Sequence, residues 1–212
     1  MRKSVPLVVA LIISLGAHAQ ESETVLYERL GSLASEVVTE YLYGSLCTPG
    51  PNLAKTQVKL AEAVSQATPS TGPLVLEFAA MANSPSNVRR LHEGGADPLS
   101  PSGTLLHTAA AFGSPVMLEY LVDAGFGLEE IGKASAPALF VAMQYGNIDN
   151  IRWLIANGAD VNAVDTSGGS VIRHSLACGD QAVVDLLLRS GAVPSSKDYE
   201  AAQRLGISLA LD

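Results

Sequence analysis

The chain has 212 residues, 48% of them apolar and 16% charged, with a formal net charge of −8. It can bury a substantial core, and its low aromatic share of 5% suits close helix packing. The acidic balance speaks against a nucleic-acid binder, which carries a basic face.

Arg2 and Lys3 give a positive start, Val5 to Leu15 an apolar stretch, and Ala17-His18-Ala19 a small-x-small cleavage site. That is the pattern of a secretory signal. The stretch is shorter than the roughly 18 residues a membrane span needs. Residues 1–19 are therefore expected to be removed, leaving Gln20 first, a more acidic mature chain and no stable membrane anchor. No cysteine adjoins the site, so no lipid anchor is expected either. Export, to a bacterial periplasm, is the expected localisation.

Residues 20–69 contain two helical patterns. Leu26, Leu30, Leu33, Val37 and Tyr41 form one apolar stripe. Leu53 to Ala67 reads as a second helix, with Leu46 to Pro51 as the turn between them. Neither fits the periodicity that follows, so the pair is expected to cap the end of a repeat array.

From residue 70 onward the chain is periodic. Gly113, Gly146 and Gly179 recur every 33 residues, and Gly125, Gly158 and Gly191 form a second series. Leu106, Leu139 and Ile172 keep the same period, as do Leu121, Leu154 and Leu187. Each unit reads as two short helices, both ending at a glycine that allows a left-handed turn. Asp160, Asn162 and Asp165 suit the connecting segment. The spacing divides the chain into a degenerate unit at 70–102 and further units at 103–135, 136–168 and 169–194. A truncated capping unit at 195–212 closes it. In the degenerate unit Asn83 stands where the helix-ending glycine would be, and Asn is the next residue that tolerates that turn.

Thr104-Leu105-Leu106-His107-Thr108-Ala109 resembles the T-P-L-H-x-A signature of the ankyrin repeat. Gly158-Ala159-Asp160-Val161-Asn162-Ala163 is similar to that family's connecting finger. The resemblance implies an all-α solenoid of helix-turn-helix units with finger loops, which works by presenting a surface to another protein. It makes His107 a structural residue that ties neighbouring turns. Phe140 and Arg173 stand at that position in the next two units, so no histidine supplies the tie there. The resemblance also places the residues before each helix-ending glycine on the concave face. Met81, Phe112, Gln144 and Tyr145 are the partner-binding candidates on that ground, with Lys133, Thr166 and Ser167 of the fingers added. Phe112 and Tyr145 are expected to stack as aromatic hot spots.

No catalytic motif is present. A set made of Cys178, His174 and Asp180 would put the thiol at a helix C-terminus, where a thiolate is disfavoured, so the chain is not expected to be an enzyme. No histidine pair has metal-ligand spacing on one helix, and the segment from Asp160 lacks the glycine and glutamate of a calcium loop. No metal or cofactor is expected. Cys47 falls in the hairpin turn and Cys178 at a helix end near the far side of the array. Helix layers stack roughly 8–10 Å apart, and a disulfide needs Cα atoms within about 7 Å, so no intrachain disulfide is expected.

These features together predict a monomeric exported module that masks or inhibits one protein. The acidic charge favours a partner with a basic patch, through steering. A toxin neutralised by an immunity protein is one such partner. A periplasmic stress enzyme such as a catalase, supported in peroxide resistance, is the alternative.

Overall fold

The structure is a computed structural model that describes residues 21–43, 50–69, 74–96, 105–131 and 136–210. The proposed signal segment and Lys133 lie outside these residues.

The first two helices, α1 (Glu21–Tyr43) and α2 (Leu53–Val64), form a hairpin. Leu30, Ala34 and Val37 on α1 and Leu60, Ala63 and Val64 on α2 are buried, and α2 packs in turn on α3. Glu40 closes the hairpin. Its carbonyl accepts from the Gly50 N–H at 2.7 Å, and its carboxylate accepts from the Asn52 N–H at 3.1 Å and side-chain amide at 3.3 Å.

The repeats follow as an inner and an outer layer. The inner helices are α3 (Leu74–Met81), α5 (Leu105–Phe112), α7 (Ala138–Gln144), α9 (Val171–Cys178) and α11 (Ser196–Leu205), each packed on the next. The outer helices are α4 (Pro85–Glu93), α6 (Pro115–Asp123), α8 (Ile148–Ala156) and α10 (Gln181–Arg189). Inner helices run from the finger edge of the stack to a base edge, where a tight turn starts each outer helix. The periodic leucines form the seam between the layers. Leu76, Leu106, Leu139 and Ile172, with Leu91, Leu121, Leu154 and Leu187, are at most 2% exposed. Each such side chain contributes about 1.5–3 kcal/mol on burial.

The glycines of the base edge do not all act alike. Gly146 and Gly179 are left-handed, at φ 67° and 73°, and Asn83 takes the same role at φ 48°. Gly113 is not left-handed, contrary to expectation. A Cβ there would sit 2.7 Å from the Ala109 carbonyl oxygen and 3.0 Å from the Met117 sulfur. Glycine is needed at Gly113 for close approach and at Gly179 for conformation.

The hairpin does more than cover the first repeat. Asn87 of α4 donates its amide to the Ala61 carbonyl (3.1 Å), and Arg90 donates to the carbonyls of Ala67 (2.9 Å) and Val64 (3.1 Å). These bonds give second donors to carbonyls at the C-terminal end of α2, which Ser65 and Ala67 already bond through their N–H groups, and tie that end to the first repeat. At the other end of α2, the Gln57 amide donates to the carbonyls of Met81 and Phe112, each at 2.9 Å. Those two carbonyls belong to the first and second units, so α2 lies across the base edge and straddles both.

Gly113 and Gly179 can be told apart experimentally. Gly179→Ala meets open space and is expected to cost about 1–2 kcal/mol for the left-handed backbone. Gly113→Ala is expected to cost about 1–3 kcal/mol through overpacking, and to be partly rescued by Met117→Ala. Urea unfolding of each glycine variant, alone and combined with Met117→Ala, checks this, and rescue of Gly179→Ala by the same second change would contradict it.

Candidate partner-binding surface

The surface open to a partner is decided by how the short helices satisfy their ends. At the base edge, Asn150 is fully buried and donates to the carbonyls of Ala109 (3.0 Å), Ala110 (3.0 Å) and Gly113 (3.2 Å) of the preceding unit. Asn147 caps its own helix by accepting from the Asn150 N–H, while its amide donates to the Gly113 carbonyl at 3.0 Å. The sequence reading did not single out either asparagine.

At this edge Phe112 and Tyr145 meet edge to face, with centroids 4.9 Å apart. They stand side by side as the repeat places them, but they are 3% and 7% exposed, and Met81 is fully buried. These three are packing residues of the base edge, not exposed hot spots. The rings pack on each other, and Gln57 of α2 bonds the Phe112 carbonyl beside them. Gln144 is exposed. A groove of about 380 Å³ remains beside them, lined by Gln57, Phe112, Ser114, Tyr145, Asn147 and Asp149.

Cys178 lies on the same edge, one unit beyond Tyr145, and it is disulfide-bonded. This corrects the expectation of no disulfide. The chain has one other cysteine, Cys47, which lies outside the described residues. The hairpin is not confined to the first layer of the stack. Gln57 already reaches the second layer at Phe112.

The finger edge is tied differently from unit to unit. His107, 1% exposed, donates from Nε2 to the carbonyls of Glu130 (2.9 Å) and Ala136 (3.0 Å), the structural role expected of it. Phe140 cannot form such a bond. It packs edge-on against His174, centroids 5.1 Å apart, and His174 Nε2 lies 2.8 Å from the Asp165 carboxylate. Arg173 reaches Asp198 at 3.1 Å, and Asp198 also accepts from the hydroxyls of Ser170 (2.9 Å) and Ser195 (2.6 Å). The tie that histidine makes in one unit is thus rebuilt twice from other chemistry. Neighbouring fingers are joined as well. Glu129 accepts from the Asp160 N–H at 2.9 Å, and Asn162 donates to the Gly191 carbonyl (3.1 Å) and accepts from the Val193 N–H (2.8 Å).

Asp165 organises the finger that carries Thr166 and Ser167. One carboxylate oxygen accepts from the Ser167 N–H (2.8 Å), the Ser167 hydroxyl (2.6 Å) and the Gly169 N–H (2.8 Å). Thr166 and Ser167 are exposed at the tip, with the Ser167 hydroxyl committed to Asp165. Ile131 and Val164, one repeat apart, are 47% and 58% exposed. Exposed Glu129, Glu130 and Asp160 flank them. The sequence reading did not find this apolar pair, although its period was readable. Among the described residues no group of three or more His, Cys, Asp or Glu is placed to hold a metal, and no helix is long and apolar enough to cross a membrane.

Asp165 of the finger and Asp198 of α11 titrate low. For Asp165 burial pushes the carboxyl up, but bonds from the Ser167 hydroxyl, the Gly169 N–H, His174 and the Ser167 N–H outweigh it and hold the group well below the usual range. For Asp198 burial again raises, and the Ser195 hydroxyl and N–H, the Ser170 hydroxyl and the Arg173 charge bring it below the ordinary value. A lowered folded-state pKa stabilises above the unfolded value near 4, and that contribution is lost as pH falls through the folded one. Stability is therefore expected to drop as pH falls below about 4. Asp165→Asn and Asp198→Asn should each lower Tm at pH 7 and flatten its dependence between pH 5 and 2. An unchanged acid slope in the double variant would contradict this.

The comparisons with known proteins agree with this architecture. Residues 76–165 match the family model described as "Ankyrin repeats (3 copies)". The chain is 31% identical over 138 residues to the mouse B-cell lymphoma 3 protein homolog, covering 61% of this chain and 31% of that protein. It is 43% identical over 58 residues to the ankyrin repeat-containing protein YIL001W of Saccharomyces cerevisiae, 27% of this chain and 11% of that one. It is also 40% identical over 60 residues to the ADP-ribosylation factor GTPase-activating protein AGD2 of Arabidopsis thaliana, 28% of this chain and 8% of that one. The chain thus spans about a third or less of the length of each of these relatives. The glycine period, the two-layered stack and the match over residues 76–165 agree: this chain carries ankyrin repeats, which serve as protein-interaction modules.

Proposed function

We propose that the chain is an exported ankyrin-repeat module that binds and masks one partner protein through its finger edge. The observation that carries this reading is the exposed pair Ile131 and Val164 on adjacent fingers, flanked by Glu129, Glu130 and Asp160. An apolar pair inside an acidic rim suits a partner segment with apolar anchors and basic flanks. The fingers are preorganised for this. The bonds of Glu129, Asn162 and Asp165 fix their backbones before any partner arrives, which lowers the ordering cost of binding. The base edge is a poorer candidate, since its aromatics are buried and α2 lies across it. Export is supported by the N-terminal signal pattern and by the disulfide at Cys178, because disulfides persist in oxidising compartments.

Affinity capture from the periplasmic fraction of the source cell, with residues 20–212 as bait, tests the reading. Ile131→Ser/Val164→Ser is expected to weaken capture about tenfold or more, as loss of a buried anchor pair does. Higher salt is expected to slow association. Undiminished capture by the double variant would move the binding surface off the fingers. A captured toxin delivered from another cell would make the chain an immunity protein, and a resident peroxide-handling enzyme would make it an accessory of that enzyme.

A further inference from the structure

We propose that the partner element this surface takes is an amphipathic α-helix with basic flanks, laid along the row of fingers so that an apolar side chain at every seventh residue meets one finger. This rests on the finger-edge reading above and names the shape and chemistry of what docks there. Two observations carry it, the register of the exposed apolar residues and the charge around them.

Glu129 accepts from the Asp160 N–H at 2.9 Å, and Asn162, 33 residues after Glu129, accepts from the Val193 N–H at 2.8 Å. The same bond is thus made at the same place in successive fingers, and it fixes how one finger follows the next. Ile131 stands two residues after Glu129, and Val164 two after Asn162. The two exposed side chains therefore hold equivalent places one unit apart. Val193, 75% exposed, carries the apolar surface into the next unit. The step along this row is the step of the stacked helices, roughly 8–10 Å.

That step selects among backbone conformations. An α-helix rises about 1.5 Å per residue, so seven residues return a side chain to the same face about 10.5 Å along. A strand returns to the same face after about 6.6 Å or about 13 Å and misses the step both times. A polyproline helix meets it, at about 9 Å for three residues, but its backbone has no internal hydrogen bonds. Such a segment needs bonding groups from the surface beneath it. Here Glu129 and Asn162 are committed to neighbouring backbone, and Asp165 to Ser167 and Gly169. An α-helix arrives with its backbone satisfied and asks only for apolar contact and charge.

Glu129, Glu130 and Asp160 are exposed around the apolar pair. On a helix, the residues three and four positions from an anchor lie beside it. Lysine or arginine there faces these carboxylates while the anchor meets the finger, which sets register and speeds encounter. Three anchors at this spacing need about 15 residues, or about four turns.

Fluorescence anisotropy with labelled synthetic peptides of about 18 residues, titrated with residues 20–212, tests the proposal. One peptide carries leucine at every seventh residue and lysine three and four residues away. A second has the same residues with leucine at every fifth. A third is proline-rich, of equal charge, with leucine at every third. The first is expected to bind about tenfold or more tightly than the others and to gain helical circular dichroism on binding. Ile131→Ser/Val164→Ser should reduce its affinity to theirs and leave the protein's own circular dichroism unchanged, since both side chains are exposed. Equal binding by the second or third peptide, or undiminished binding of the first to the double variant, would overturn the helix. The captured partner separates this inference from the reading beneath it. Displacement of that partner by the first peptide supports the helix. A partner that depends on Ile131 and Val164 but is not displaced leaves the finger-edge reading standing and sinks the helix. Capture that ignores the double variant removes both.

Discussion

Helices of seven to ten residues leave most of their terminal carbonyls without an intrahelical partner. The repeat helices here are of that length, so the stack stands only if each unit satisfies the ends of its neighbour. Asn150 does this at the base edge, where one buried amide serves three carbonyls of the preceding helix turn. His107 does it at the finger edge. A hydrogen bond contributes only about 0.5–1.5 kcal/mol net, whereas a buried carbonyl left unpaired costs more than that. The polar ties therefore set the register of the stack, and the leucine seam supplies most of its stabilisation.

That division of labour decides where a partner can sit. At the base edge the carbonyls are consumed by Asn147, Asn150 and Gln57, and the aromatic rings pack on each other. At the finger edge the ties run from a few polar side chains to the backbone of neighbouring fingers, and they leave other side chains exposed. Ile131 and Val164 are left exposed by ties that need only Glu129, Asp165 and their neighbours. An edge whose backbone is satisfied internally can offer apolar side chains without also offering unpaired polar groups, which favours specific burial over aggregation.

Much of this was legible in the sequence. The glycine series and the periodic leucines give the layers, because both follow from local constraints of backbone and burial. Asn83 was readable as a left-handed residue for the same reason. Gly113 was not, since its reason is a contact with Ala109 and Met117 that no local pattern shows. The burial of Phe112 and Tyr145 depends on which way two rings turn within a layer, and that is settled by packing. The position of the hairpin was the costliest omission. It depends on Gln57, Asn87 and Arg90 bonding carbonyls far away in the sequence, which no local pattern shows. The Asp198 tie did carry a sequence signal, Ser195 followed three residues later by Asp198, the pattern of a capping box.

The two ends of the array are closed by similar means. At the N-terminal end Glu40 gathers the Gly50 and Asn52 donors and fixes the hairpin turn. At the C-terminal end Asp198, fully buried, gathers Ser170, Ser195 and Arg173 and fixes the final helix on the fourth unit. The Arg173 side chain is 38% exposed, so its charge is screened and contributes little by itself. The hydroxyl and N–H donors hold the carboxylate, and they hold it as a hydrogen-bonding hub more than as an ion pair. A buried hub of this kind fails sharply when one donor is lost, because the remaining charge has no solvent to turn to. The C-terminal end of the stack is in this sense all-or-none, while exposed side chains of the fingers can change at little cost. Variation toward a particular partner is therefore least constrained on the fingers, where Ile131, Val164 and Val193 are already exposed apolar residues.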